Sequence, residues 1–208
     1  MLDLFVSPGS CALASHIALE EAGADYRLHL IDFRKNEQQS PEYLEINPKG
    51  RAPALATDRG ILTESPAILA FVAQSYPEAG LAPLNDPFAF ARLQAFNSFL
   101  ASTLHVAHAH KHRGSRWADA PEALEDMRGK VPETVAAAFA YIEEHAFAGP
   151  YVMGDEYSVA DPYLFTMARW MEGDGVDPAR FPKVEAHRTM MRRRPSVRAA
   201  LEAEGLAD

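Results

Sequence analysis

The chain has 208 residues, 48% apolar and 24% charged, enough to bury a sizeable core as one large domain or two small ones. Its 29 acidic and 20 basic residues give a net charge of −9, which argues against nucleic acid or an anionic membrane as the main partner. No apolar run approaches the ~18 residues that a bilayer span needs.

Residues 2–6 read as a short apolar strand, followed by the turn Ser7-Pro8-Gly9-Ser10. Leu13, Ala14, Ile17 and Ala18 then recur at helical spacing up to Gly23, a residue suited to the left-handed position after a helix. Residues 26–31 alternate loosely as a second strand. Ser40-Pro41-Glu42 opens a short helix, with Ser as cap and Pro at the first position, and Asn47-Pro48-Lys49-Gly50 closes it. Two brief strands at 53–57 and 60–63 meet at Asp58-Arg59-Gly60. Ser65-Pro66 starts another helix carrying Ile68, Leu69 and Val72. The order β-α-β-α-β-β-α is that of a thioredoxin-like domain.

Pro77, Gly80, Pro83 and Pro87 mark a linker, after which strand signals stop. One long helix is expected over 88–112, with Leu93, Phe96, Leu100 and Leu104 on one face. A second apolar stripe steps by three or four over 124–142, and Pro132 inside it should kink or split that helix. Ser158 and Asp161 form a candidate capping pair for a further helix, and two more follow at 182–193 and 195–204. The expected fold is an α/β thioredoxin-like N-terminal domain (1–77), a linker (78–86) and an all-α C-terminal domain (87–208). The cluster Arg192-Arg193-Arg194, with Arg188 and Arg198, reads as a solvated helix face.

The single cysteine, Cys11, rules out an internal disulfide and fits a reducing compartment. The start Met1-Leu2-Asp3-Leu4-Phe5-Val6 lacks the basic region and long apolar stretch of a signal peptide, so a cytoplasmic location is expected. Cys11 falls at the first turn of the first helix, where free N–H groups and the helix dipole favour a thiolate. A lone cysteine also serves as a small buried hydrophobe. Ser7 and Ser10 compete as donors to an anion, with capping the better role for Ser10.

Arg51-Ala52-Pro53 puts a proline at the start of a strand, where it cannot complete a central ladder. A cis peptide there turns the Ala52 backbone outward, offering an unpaired N–H and C=O to an extended peptide; an edge-strand trans proline is the commoner arrangement. Ser65 is placed to cap its helix, or with the N-terminal N–H groups to bind a carboxylate. Glu64 beside it favours the amino group of the same ligand, so the pair suits an α-amino acid head group. His105, His108 and His112 share one helical face, but no carboxylate ligand stands near them, which favours pocket-lining histidines over a metal site.

Read together, Ser7-Pro8-Gly9-Ser10-Cys11, Asn47-Pro48-Lys49-Gly50 with Ala52-Pro53-Ala54-Leu55, Leu62-Thr63-Glu64-Ser65-Pro66 and Tyr157-Ser158-Val159-Ala160-Asp161 resemble the glutathione S-transferases, nearest the bacterial beta class. The resemblance covers nearly the whole chain. It implies a homodimeric enzyme that activates glutathione's thiolate toward an electrophile or disulfide, with no metal. The same resemblance implies that Ala52, beside a cis Pro53, pairs with the cysteinyl part, and that Glu64 and Ser65 hold the γ-glutamyl end. Lys35 and Arg51 would lie near the glycyl end, Ser10 and Ser98 nearby, with Cys11 and His105 at the sulfur. Departures are Ala12 after the cysteine, Ser98 where relatives often carry Asn, and Val106 where Lys often follows the histidine. Isomerase, dehalogenase or thiol-transferase chemistry on the same fold, or a non-catalytic interaction module, are the rival readings. The acceptor pocket is expected along residues 104–117, whose histidines, Arg113 and Arg116 suggest a polar acceptor.

Overall fold

The computed structural model describes residues 1–206. Four strands, β1 (Leu2–Val6), β2 (Tyr26–Leu30), β3 (Ala54–Thr57) and β4 (Gly60–Thr63), form one sheet in the order β2-β1-β3-β4. β1 runs parallel to β2, with Leu4 opposite Leu28, and antiparallel to β3, with Leu4 opposite Leu55. The hairpin β3–β4 pairs Ala54 with Thr63. Alternation along β1 separates two faces: Leu4 and Val6 are fully buried, while Phe5 points the other way against Tyr43 and His29.

Helices α1 (Ala12–Glu21), α2 (Pro41–Ile46) and α3 (Ser65–Ser75) complete this unit. The Ser40 hydroxyl caps α2 by accepting the Tyr43 N–H at 3.2 Å. Between β2 and α2 the chain makes two short 3₁₀ turns, Phe33–Lys35 and Glu37–Gln39, which no sequence pattern marks. α1 is buried along residues 12–19 on every side, because it lies between the sheet and the helical part of the chain. Its Leu13 and Ile17 pack with Phe165, Met191, Val197 and Leu201 from the C-terminal helices.

The expected long helix is a continuous helical run whose middle loosens: α4 (Pro87–Phe99), a π turn (Leu100–Leu104) and α5 (His105–Arg113). α6 (Pro121–Tyr141) passes unbroken through Pro132, contrary to the expected split. Arg128, whose carbonyl loses its helical partner to that proline, is exposed, so water can satisfy it. α7 (Ala160–Ala168), α8 (Pro182–Arg192) and α9 (Pro195–Ala203) follow.

The capping pair forms. Asp161, with no exposed surface, accepts hydrogen bonds from the Ser158 N–H at 2.7 Å, the Ser158 hydroxyl at 3.1 Å and the Val152 N–H at 2.8 Å, and faces His187 Nε2 at 3.0 Å. The arginine cluster is only in part the solvated face expected of it: Arg193 and Arg198 are exposed, while Arg188 and Arg194 are engaged. Arg188 is buried, bridging Glu172 through two 2.8 Å contacts and Glu185 at 2.7 Å, and Arg194 clamps Glu21 of α1 at 2.6 and 2.8 Å. Glu185 is an i, i+3 neighbour on α8, whereas Glu172 and Glu21 are brought in by packing that no local pattern reveals.

Candidate functional site

A cleft of about 1090 Å³ opens between the sheet-bearing unit and α5. On one wall the turn into α1 sets the geometry. Gly9 adopts a φ of +72°, which a residue without a Cβ takes up freely. The Ser10 hydroxyl accepts the Ala12 N–H at 3.2 Å, the capping role preferred from sequence. Gly9 is also held from a distance: its N–H donates to Glu204 Oε2 at 2.9 Å, and its carbonyl accepts Trp170 Nε1–H at 3.1 Å. The other oxygen of Glu204 pairs with His16 Nδ1 at 2.9 Å, both side chains being buried.

Cys11 occupies the cap position of α1 and is 8% exposed. Its S–H donates to the Ala52 carbonyl at 3.6 Å, so that carbonyl is not the unpaired group expected. Burial pushes the thiol above its ordinary pKa, and the Ser65 hydroxyl and the Arg113 charge offset only part of this. This corrects the expectation of a thiolate: the helix terminus favours the anion, but desolvation outweighs it.

The Ala52–Pro53 peptide is cis. The segment is anchored just before it, where the Arg51 carbonyl accepts the Tyr43 hydroxyl at 2.7 Å and Asn47 Nδ2–H at 2.6 Å. Glu64 has a left-handed φ of 73° and itself holds the cap position of α3. Ser65 is therefore the first residue of α3 and not its cap. It is 5% exposed and lines the cleft, where its hydroxyl favours the anions of Cys11 and Tyr163 against their burial. The Glu64 carboxylate is exposed at the mouth and paired with Lys49, whose ammonium also donates to Thr63 Oγ1 at 2.7 Å. Lys35 and Arg51 sit exposed on the rim, Lys35 within 3.9 Å of Asp32.

α5 supplies the facing wall. His105 lines the cleft, and its pKa falls to about 4, first through burial and then through Arg113, His108, Arg116 and Arg51. His108 stacks on Trp170 at 4.1 Å and places Nδ1 2.7 Å from Asp174 Oδ2, a carboxylate partner the sequence did not reveal. Among the described residues no group of three or more His, Cys, Asp or Glu side chains gathers as a metal site. Arg113, Arg116 and Trp117 line the cleft as the acceptor stretch implied, whereas Leu104 is buried in the core.

The structure brings Ser10, Cys11, Lys35, Arg51, Ala52, Pro53, Glu64, Ser65 and His105 to one cleft. Ser98 is the exception. It is exposed on α4, outside the cleft of its own chain, with its carbonyl accepting the Ser102 hydroxyl at 2.8 Å, and the neighbouring Asn97 takes the buried phase of the helix. Sequence reasoning missed Tyr163, Trp170 and Glu204, which reach the cleft through tertiary packing alone.

Residues 2–74 match the family model for the glutathione S-transferase N-terminal domain, and residues 121–203 match that for its C-terminal domain. The chain is 33% identical to the glutathione S-transferase GstA of Escherichia coli O157:H7, over 99% of this chain and 100% of that protein. It superposes with a TM-score of 0.95 and 48% identity on a glutathione transferase homologue from Sulfitobacter solved with bound glutathione, over 100% of this chain and 99% of that one. A bacterial beta class glutathione S-transferase from Sphingomonas chungbukensis gives a TM-score of 0.86 at 36% identity, over 99% and 100%.

Proposed function

Since the chain belongs to the glutathione S-transferase family and is a glutathione transferase with glutathione as co-substrate, we propose how its cleft divides the work. The main chain of Ala52 pairs with the cysteinyl part of the tripeptide. The Ser65 hydroxyl and the first N–H groups of α3 receive the γ-glutamyl carboxylate, and Glu64 takes its ammonium. Arg51 and Lys35 on the rim attract the glycyl carboxylate. Residues 1–77 thus carry glutathione, and 87–208 carry the acceptor.

The observation that supports this reading best is a convergence: Cys11 donates to the Ala52 carbonyl and shares one cleft with Ser65, whose hydroxyl favours the Cys11 anion, so the cysteinyl and γ-glutamyl subsites adjoin. Glutathione's thiol has a reference pKa of about 8.5, and lowering it by ~2 units needs about 2.7 kcal/mol. His105, neutral above pH about 4, contributes a hydrogen bond and not a full charge. Cys11, kept protonated by burial, contributes an S–H donor, and Arg113 adds a positive field. The glutathione sulfur then bonds to the acceptor carbon while the leaving group departs with its electron pair and the thiol proton passes to solvent. A protonated Cys11 favours this conjugation over thiol–disulfide exchange, which requires a Cys11 thiolate as nucleophile.

We read the protein as a cytoplasmic homodimer acting on a small electrophile; the exposed Phe88 and Ile61 offer apolar surface for a second copy. Conjugation kinetics test the Cys11 role. Cys11→Ala is expected to lower kcat about tenfold, the worth of one hydrogen bond to a charged sulfur, with KM for glutathione little changed. Full rates in both conjugation and disulfide exchange would remove Cys11 from the chemistry.

A further inference from the structure

We propose that the end of α5 and the turn after it form an anion-binding subsite for the second substrate, so that the acceptor is an aromatic electrophile carrying a carboxylate or similar anion. The inference rests on the glutathione reading above and names the acceptor class for that same cleft.

Acidic side chains outnumber basic ones in this protein, 29 to 20, and several arginines elsewhere are spoken for: Arg188 by Glu172 and Glu185, Arg194 by Glu21, Arg27 by Asp3. Arg113 and Arg116 break that pattern. Both line the cleft, and neither has an ion-pair or hydrogen-bond partner among the described residues. They act on each other and on Arg51: burial lowers the pKa of Arg116, and the charges of Arg51 and Arg113 lower it further. Arg113 lines the same cleft as Cys11 and His105, and its charge acts on both groups. Like charges gathered in a partly desolvated cleft repel one another, and an anion relieves that repulsion.

The cleft's own carboxylates are already engaged. Asp32 holds the Arg34 N–H and Lys35, Glu37 accepts the Asp32 N–H, Glu64 pairs with Lys49, and Glu204 serves His16 and Gly9. Asp174 faces His108 at 2.7 Å and Lys111 at 3.9 Å. Nor does glutathione account for the pair, since Ser65 with α3 and the rim cations Lys35 and Arg51 face its two carboxylates. Flat surfaces adjoin the cations: Trp170 lies stacked with His108, and Trp117 sits 4.5 Å from His110. A ring lying on these faces directs an attached anion toward the guanidiniums.

The test compares 4-chloro-3,5-dinitrobenzoate with its methyl ester, alike in shape at the reacting carbon and different in charge. In both, glutathione's sulfur bonds to the ring carbon, the C–Cl bond breaks and chloride leaves with the bonding pair. The double variant Arg113→Ala/Arg116→Ala is expected to lower the carboxylate-to-ester ratio of kcat/KM about tenfold, with KM for glutathione within about twofold of the parent. The double lysine variant should recover part of the ratio.

Trp117 and Trp170 are the chain's two tryptophans and both line the cleft, so quenching of their fluorescence by 3,5-dinitrobenzoate reads binding without turnover. Its Kd should rise about tenfold in the alanine variant while that of the methyl ester rises less. An unchanged ratio, equal losses for acid and ester, or a glutathione KM that rises in step with the acceptor loss would each overturn the subsite. Absence of turnover with either acceptor would sink the glutathione reading, and the fluorescence comparison would still decide the subsite.

Discussion

The cleft has two walls built in different ways. The wall carrying Cys11, Ala52, Glu64 and Ser65 works largely through main chain and short-range contacts, such as Ser10 to Ala12 and Asn47 to Arg51. The α5 wall works through side chains, with His105, His108, Arg113 and Arg116 set by a helix and tuned by partners far away in sequence. A tripeptide is the same for every acceptor, so its recognition can be fixed in backbone geometry. On the reading proposed above, the α5 wall meets the acceptor, and its side chains can be exchanged on a helix.

Buried carboxylates also brace the fold behind the cleft, and removing one gives the largest expected effect. Asp161 gathers two N–H groups, a hydroxyl and His187 at the start of α7. Asp161→Ala should cost about 3–5 kcal/mol, since it strands several buried donors. Glu204 holds only Gly9 and His16, so Glu204→Ala should cost less, about 2–3 kcal/mol. Urea midpoints at constant m measure both, and a loss below about 1 kcal/mol at Asp161 would contradict its role as hub.

A pH series sharpens the comparison at lower amplitude. The folded pKa of His105 is about 4 against a reference of 6.5, so between these values the unfolded chain binds more protons. The stability from a neutral His105 is full above pH 6.5 and is lost as pH falls toward 4. The loss reaches about 2 kcal/mol at pH 5 by the shift's own arithmetic. His105→Asn should flatten that part of the stability profile between pH 7 and pH 5. An identical slope in the variant would place the titration elsewhere.

The contrast between walls also explains what the sequence revealed. Strand alternation in residues 2–6, the Ser40-Pro41 helix start and the Ser158–Asp161 cap are local patterns, and each appears as read. Misreadings came where distant packing decides. Glu204 meets Gly9 across 195 positions and Asp174 meets His108 across 66, separations at which no spacing rule operates. The helix terminus favours a Cys11 thiolate, but desolvation by the rest of the fold prevails, in line with the other reading of a lone cysteine as a small buried hydrophobe. Ser-Pro is a common helix start and allows Ser65 to cap the helix or to meet a carboxylate; the left-handed Glu64 takes the cap position and leaves the Ser65 hydroxyl to the cleft. Ser98 was carried over by resemblance, and helical phase turns it outward.

Calorimetric titration of reduced glutathione into the whole protein, parent against Glu64→Ala/Ser65→Ala, probes the tripeptide wall directly. One site per chain is expected for the parent, weakened at least about tenfold in the double variant by loss of a buried hydroxyl and a carboxylate that together grip one amino-acid head group. A parent that releases no heat, or a variant that binds as tightly as the parent, would contradict the placement of glutathione on this wall.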